Sequence, residues 1–415
     1  MPASVPQPPN LGDLHDEQIV ALLRSGAHSM LLSAYFGEQE YRELCQYAKL
    51  AATRADANGR IVYVLPGIMG SKLGSARQNG QLVWLHPATV ASGGLMQLAN
   101  LAEGDMSVSG VMLPGYLKLK LMLEIAGLRP IFFPFDWRCD LFDLGRLLLQ
   151  HIDAHQREPV FVVAHSMGGL VARAALALDQ RSRIARLVQL GAPNHGSFAP
   201  VQALRAVYPT VRKIAALDQQ HSAEELARKV FLTLPGLYQM LPSPERSHGL
   251  DLFDPSAWPQ DDLIPDTALL QAAREARSRL ANADARCSLI AGVGQETITS
   301  LERGDGGFKY VITRDGDGTV PLALADWPGA RTWYASETHG GLTNNNTVLA
   351  ALVDLLQQGQ TQHLSETAPP IDGRAVRVTS DRELRAQAVR KVQWDSLSLD
   401  SRRRILEPVI SSEFM

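Results

Sequence analysis

Long apolar runs are missing from this 415-residue sequence. A helix that crosses a bilayer needs about 20 mostly apolar residues, and no comparable run occurs, so no transmembrane helix is expected. The first ten residues, MPASVPQPPN, have neither the basic n-region nor the apolar stretch of a secretory signal. Cysteine is scarce: only Cys45, Cys139 and Cys287. An odd, sparse set argues against a disulfide framework and fits a reducing compartment. A cytoplasmic protein is the expectation, although leaderless export would leave the same traces. An excess of one charge is also missing. Lys and Arg total 40 against 43 Asp and Glu, a net charge of −3, with no basic tract. Nothing electrostatic favours nucleic acid as a partner. Internal repeats are absent too. What is there, 45% apolar and 20% charged residues, is the composition of an ordinary globular protein. The length allows roughly two or three domains, or one large α/β unit with additions.

The order of apolar patterns selects the second option. Residues 1–10 are proline-rich and expected to be disordered. From about 14 to 55 the pattern is helical, with Tyr41, Leu44, Tyr47, Ala48 and Ala51 at helical spacing. This segment, 1–56, reads equally as a cap on the body or as a docking module for a protein partner. Strand and helix then alternate: strand 61–65, helix 117–128, strand 130–134, helix 141–155, strand 159–163, helix 168–178, strand 184–190. Such alternation implies parallel βαβ units, with helices covering both faces of a mostly parallel sheet. It stops after Ser197. Residues 198–285 read as helical with proline punctuation, which predicts a helical lid insertion. Strands near 288–293 and 331–334 and a helix at 347–356 resume the core. The expected division is therefore a core of 57–197 and 286–358, the insertion 198–285, and a linker with a charged tail over 359–415. A short helix is expected in that tail near 381–391.

The chemistry concentrates at Ala164-His165-Ser166-Met167-Gly168-Gly169, between a buried strand and a helix rich in small residues. That is the setting of a nucleophile elbow, where a sharp turn exposes a serine at the positive end of a helix. Small residues two before and two after the serine relieve the turn, and Ala164 in the first position adds only one methyl group. An ordinary serine helix cap would have the same residue but no reason for this frame.

A serine hydroxyl needs a base to take its proton and a carboxylate to orient the base. In a strand–elbow–helix frame the chain order is Ser, acid, His. Downstream, Arg314-Asp315-Gly316-Asp317-Gly318-Thr319-Val320-Pro321 offers two carboxylates. Asp317 is the preferred acid, and Asp315 suits a turn or the binding of backbone amides. His339 follows the predicted strand 331–334 and precedes the predicted helix 347–356, the position of a base. His165 adjoins the serine but should point away from it. His195 lies upstream of the acid, in the wrong order, and His151, His155 and His363 read as structural. An oxyanion needs backbone amides. Met167, after the serine, would give one, and the loop Pro66-Gly67-Ile68-Met69-Gly70-Ser71 the other, from Ile68 first and Met69 second.

Together these pieces resemble the lecithin:cholesterol acyltransferase and lysosomal phospholipase branch of the α/β-hydrolases. The resemblance rests on residues 66–71, Phe135-Asp136-Trp137-Arg138, the elbow, Ala192-Pro193-Asn194-His195-Gly196-Ser197, and Gly316-Asp317-Gly318-Thr319-Val320. These motifs occur in the family's order over about 61–356. Ala-His-Ser-Met-Gly-Gly is a familiar lipase form of the elbow, and lipases carry their acid before Gly-Thr-Val. The resemblance implies an α/β-hydrolase fold and acyl-ester substrates, with Ser166, Asp317 and His339 as the triad. Asp136 and Arg138 read as a buried structural pair. This chain departs from the family's secreted or lumenal eukaryotic members in lacking disulfides and a signal. In the insertion, Val201, Leu204, Val207 and Tyr208 would share a helical face. The apolar run 234–242 would place Leu237 and Tyr238, with Met69, against substrate, or would touch a lipid surface transiently, or these helices would simply pack on the core. The chemistry requires no metal or organic cofactor. Hydrolysis of a lipid ester is the leading expectation. Acyl transfer through the same acyl-enzyme, and an effector gated through its N-terminal helices, are the alternatives.

Overall fold

The run Val160–His165 is apolar and rich in β-branched residues, and in the computed structural model it lies at the centre of a sheet with both faces covered. Residues 14–78, 80–99, 105–247, 250–370, 376–387, 389–398, 401–402 and 405 are described. The proline-rich tip at 1–10 lies outside them. The described strands are β1 (Ile61–Leu65), β2 (Ser71–Ser75), β3 (Gln81–Trp84), β4 (Met106–Val111), β5 (Arg129–Phe132), β6 (Val160–His165), β7 (Ile184–Leu190), β8 (Cys287–Gly292), β9 (Thr297–Gly304), β10 (Gly307–Thr313), β11 (Arg331–Ala335) and β12 (Arg377–Ser380). Six of them form the main sheet in the order β11-β8-β7-β6-β1-β5, every neighbouring pair parallel.

Side chains alternate across a strand. Val162 and Ala164 therefore join Tyr63 and Leu65 in one core, under the helices Leu141–His155 and Met167–Leu178. Val163 joins Val62, Val64, Val188, Ile290 and Trp333 in a second core, under the helices Leu113–Ile125 and Asn346–Gln358. The expected α/β class and its two covered faces are thus present. The helix expected at 117–128 starts earlier, because Pro114 is tolerated in a first turn, and it stops before Gly127 at φ +74°.

Helix Leu113–Ile125 is buried on nearly every side, so its apolar residues need cover and its lysines need partners. Leu119 and Leu123 face the sheet. Leu117, Leu121 and Tyr116 face the N-terminal helices Asp16–Ser25, Ser29–Phe36 and Glu38–Arg54, which contribute Ile19, Leu23, Phe36, Leu44 and Ala48. Lys118 pairs with Glu43, and Lys120 with Asp16 and Glu17. The N-terminal segment is thus the second wall around this helix.

Two smaller antiparallel sheets, β3-β2-β4 and β12-β10-β9, do not appear in the sequence reading. Strands β2 and β4 are short and rich in serine and glycine, so they carry no apolar signal. Strands β9 and β10 are joined by Asp305-Gly306, a hairpin signal that the reading passed over. The insertion is helical as expected, yet helix Ala199–Leu204 ends before Val207 and Tyr208, with Ala206 at φ +60°. The four residues assigned to one helical face are all buried in the main core, reached by a bent path.

The tail is not merely a linker with a charged end. Strand β12 extends β10, and the helix Asp381–Ala386 follows, shorter than expected. Asp381 and Arg205 form a salt bridge at 3.0 Å with both side chains 0% exposed. Asp381 also accepts bonds from the Tyr310 hydroxyl at 2.6 Å and the Phe308 amide at 3.2 Å. Arg205 forks onto Asp261 from the same side. Asp381→Ala should cost about 3 kcal/mol, because it leaves the Nε of a buried guanidinium, a buried hydroxyl and a buried amide without their acceptor, although Arg205 keeps Asp261. Urea unfolding of the folded variant checks this, and a loss below about 1 kcal/mol would mean that the bridge contributes no net stability.

Candidate active site

Ser166 stands between β6 and helix Met167–Leu178 with φ 54° and ψ −125°. A side chain in that region costs about 1–3 kcal/mol, so the surroundings must hold it there. They do so through the backbone: the Ser166 amide donates to the Leu190 carbonyl at 3.0 Å and its carbonyl accepts from Gly169 at 2.9 Å. The two glycines are demanded by neighbours as well as by the turn. A Cβ on Gly168 would stand 2.5 Å from the Pro66 carbonyl oxygen, and one on Gly169 2.4 Å from the Ala192 Cβ.

Loops after β10 and β11 bring the other two predicted residues to this serine. His339 Nε2 lies 2.8 Å from Ser166 Oγ, and His339 Nδ1 lies 2.7 Å from Asp317 Oδ2. Asp317 is 2% exposed and His339 2%. A carboxylate accepts only, so Nδ1 carries the proton and Nε2 presents a lone pair to the hydroxyl. Asp317 Oδ1 accepts from the amides of Thr319 at 2.9 Å and Val320 at 2.7 Å. The Asp317 carbonyl takes the His339 amide at 2.8 Å. The amide-binding role expected of Asp315 therefore falls to Asp317, whose Thr319 and Val320 follow it in a tight turn. Among the described residues nothing donates to the Asp315 carboxylate, and burial raises its pKa.

His165 leaves the serine hydroxyl to His339, as expected, but it is not idle. Its Nδ1 lies 2.9 Å from the Tyr116 hydroxyl, and its Nε2 lies 3.0 Å from the His339 carbonyl oxygen. Burial, then the nearby His339, pushes its pKa down to about 3, so the ring is neutral. His195 is also held neutral. Burial and the guanidiniums of Arg277, Arg246 and Arg173 push it down to about 4. Asp136 and Arg138 form the expected structural fork, with Arg138 also donating to the Leu98 carbonyl.

The loop 66–71 lies directly on the nucleophile. A Cβ on Gly67 would come 2.9 Å from the Ser166 Cβ. The Gly67 amide donates to the Tyr116 hydroxyl at 2.8 Å. Met69 takes φ +61°, and its carbonyl accepts from Trp84 Nε1 at 2.8 Å. Among the described residues the amides of Ile68 and Met167 have no hydrogen-bond acceptor. They are the two amides expected to bind an oxyanion.

Ser166 and His339 open onto a pocket with mostly apolar walls. They include Ile68, Met69, Pro200, Tyr208, Leu237, Met240 and Val320, and among the described residues no Lys, Arg, Asp or Glu. Met69 and Leu237 line this pocket. Tyr238 does not: its hydroxyl donates to the Leu232 carbonyl at 2.9 Å and accepts from the Asp266 amide at 2.9 Å. It ties the insertion to itself because its neighbour Leu237 already occupies the helix face toward the cavity. Thr319 adds a hydroxyl that is buried without a partner among the described residues. Among the described residues no His, Cys, Asp and Glu cluster could hold a metal. Nor is any described helix long and apolar enough to cross a membrane. Sequence reasoning missed Tyr116 and Trp84, which hold the loop 66–71 from two sides. Neither stands in a motif, and their partners lie 49 and 15 residues away in the chain.

The parallel six-stranded sheet with helices on both faces and the strand–serine–helix turn after β6 are those of an α/β-hydrolase fold. The sequence pattern of the lecithin:cholesterol acyltransferase family matches residues 126–302 and bears out the resemblance read from the motifs. That segment holds Ser166 and ends before Asp317 and His339. The match supports an esterase-type enzyme that hydrolyses or transfers acyl groups. Among curated proteins none matches the chain. Among solved structures, the Tle4-Tli4 complex is similar at a TM-score of 0.46, with 14% identity, over 73% of this chain and 100% of that chain. The mature Bacillus licheniformis lipase BlEst2 is similar at 0.39, with 15% identity, over 73% and 94%. Phospholipase PlaB from Legionella pneumophila is similar at 0.31, with 11% identity, over 73% and 60%.

The neutral histidines have a consequence for stability. An unfolded histidine binds its proton near pH 6.5, whereas His165 in the fold does so only near 3. The unfolded state thus takes up the proton first as pH falls. Stability is full above about 6.5 and is lost toward 3, with a slope of up to about 1.4 kcal/mol per pH unit from this one group. Urea midpoints measured from pH 7.5 to 4.5 should fall, and the slope should lessen in His195→Asn. A level profile would show that neither ring stays neutral in the fold.

Proposed function

We propose that the protein cleaves a carboxylic ester of a lipid or a similarly apolar acyl compound through a Ser166–His339–Asp317 triad. The observation that carries this reading is the unbroken hydrogen-bond line from Ser166 to Asp317 at the wall of an apolar cavity. His339 takes the proton of Ser166 as Oγ attacks the carbonyl carbon, and Asp317 holds the imidazolium that forms. The amides of Ile68 and Met167 receive the oxyanion. His339 then gives its proton to the leaving alcohol, and an acyl-enzyme remains. Water, activated by the same base, releases the acid. The uncharged walls suit the acyl part of the substrate and offer no partner to a charged head group.

Acyl transfer is the second reading. The pattern matched over 126–302 is that of an acyltransferase family. The two readings share the acyl-enzyme and differ in whether water or an alcohol discharges it. Product analysis with an added acceptor alcohol separates them.

Mass spectrometry of products from mixed phospholipid liposomes should detect fatty acid and lysolipid with the wild type and neither with Ser166→Ala. Asp317→Asn should lower kcat about 10³-fold or more, since the amide no longer fixes the histidine tautomer. Turnover by Ser166→Ala at the wild-type rate would end the proposal. Deleting residues 1–56 should give an insoluble or strongly destabilised product, because it uncovers Leu117, Leu121, Lys118 and Lys120. A stable truncated protein with full esterase activity would instead mark that segment as a separable docking module.

A further inference from the structure

We propose that Tyr116 is a positioning residue for this reaction: its hydroxyl fastens the loop that carries the oxyanion-binding amide to the loop that carries the base. The inference rests on the triad reading above and adds a residue that no motif contains.

Hydrogen-bond bookkeeping gives the connection a single direction. The Gly67 amide can only donate, so at 2.8 Å it donates to Tyr116 Oη. The hydroxyl proton is then free for His165 Nδ1 at 2.9 Å. Nδ1 must accept, so the proton of this neutral ring sits on Nε2. Nε2 faces the His339 carbonyl oxygen at 3.0 Å, which can only accept. Every donor meets an acceptor along Gly67, Tyr116, His165 and His339, and no other tautomer of His165 fits both ends.

The positions of these four residues give the line its meaning. Gly67 directly precedes Ile68, whose amide would hold the oxyanion. His165 directly precedes the nucleophile, and His339 is the base itself. Three separate parts of the chain are therefore fixed within one residue of the reacting atoms. Tyr116 is 2% exposed, and its ring meets that of His165 edge-on at 5.8 Å. It projects from helix Leu113–Ile125, which is gripped on its outer side by the N-terminal helices. The hydroxyl is thus held by a rigid element rather than by a loop. An amide misplaced by about 1 Å can cost roughly 10²-fold in rate, and that is the kind of error the hydroxyl prevents.

Tyr116→Phe keeps the ring and removes only the oxygen. With p-nitrophenyl butyrate as substrate, kcat should fall about 10- to 100-fold while KM stays within about threefold. Affinity for butylboronic acid, whose adduct with Ser166 places an oxygen at the oxyanion position, should fall by a similar factor. Tyr310→Phe is the control. It loses a buried hydroxyl bond to Asp381, a residue outside the Gly67–Tyr116–His165–His339 line, and should lower stability without changing kcat or boronate affinity. Should Tyr116→Phe fold poorly, His165→Asn carries the same expectation, since Asn keeps a group near the Nδ1 position and loses the bond to His339. A folded Tyr116→Phe with wild-type kcat, or with a kcat loss not matched by the boronate, overturns the proposal. A wild type that a fluorophosphonate does not label at Ser166 overturns the triad reading, and this proposal with it. Labelled wild type beside an unimpaired Tyr116→Phe overturns this proposal alone.

Discussion

Ser166 holds a backbone conformation that costs a residue with a side chain about 1–3 kcal/mol, and the surrounding chain is shaped to keep it there. The glycines at 168 and 169 allow Pro66 and Ala192 to press against the turn. Gly67 allows its loop to lie on the serine itself. Buried β-branched strands on either side leave the end of β6 nowhere else to go. The strain and the site have one origin: the turn that lifts Oγ toward the cavity is the turn that the packing must enforce.

Electrostatics then follow from burial. At 2% exposure the oxygens of Asp317 need donors in place of water, and they have two amides and one imidazole. His165 is buried and neutral, which gives it one donor and one acceptor to spend on two different loops. Arg173 is buried and Arg277 half-buried, and among the described residues their hydrogen bonds go to Asn194, Ala281, Gln239 and Ser243 rather than to carboxylates. Burial, and then the charge of Arg277, Arg246 and Arg173, keeps His195 uncharged. Each buried ionisable group near the site is thus either paired by hydrogen bonds or held in its neutral form.

The parts of the fold legible in the sequence are those where one local signal decides. The strand Val160–His165 is apolar up to its last residue, the helix Leu141–His155 shows its face, and the elbow ties a motif to a strand-to-helix junction. Chain order then singles out Asp317 and His339. What stayed hidden depends on partners remote in sequence. Strands β2 and β4 depend on the sheet they form with β3, since Ser71-Lys72-Leu73-Gly74-Ser75 has no apolar run of its own. Tyr116 looks like one more apolar residue of a buried helix, and nothing local reveals that its hydroxyl meets residues 67 and 165. Tyr238 shows the reverse error. It stands in an apolar, proline-bounded run that suggested substrate contact, but a buried hydroxyl must find polar partners, and it finds them inside the insertion.

The insertion itself departs from a flap hinged on two stalks. Such a flap would satisfy its backbone groups internally. Here the Gly236 amide donates to the Arg138 carbonyl, the Ser197 amide to Met240, and the Ser243 amide to His195. The Gln239 side chain accepts from the Leu141 amide, at the start of a core helix. From the outer side the tail adds Lys391, which donates to the carbonyls of Ala215 and His221 near the end of helix Pro209–Leu217, and the buried bridge between Arg205 and Asp381. Leu237 and Met240 reach the cavity from a segment bonded to the body on several sides. Displacing them would leave those amides and carbonyls unsatisfied, at about 1–3 kcal/mol for each that stays buried. The apolar wall beside Ser166 is accordingly part of the folded body, and the tail that looked like an appendage is part of what holds that wall in place.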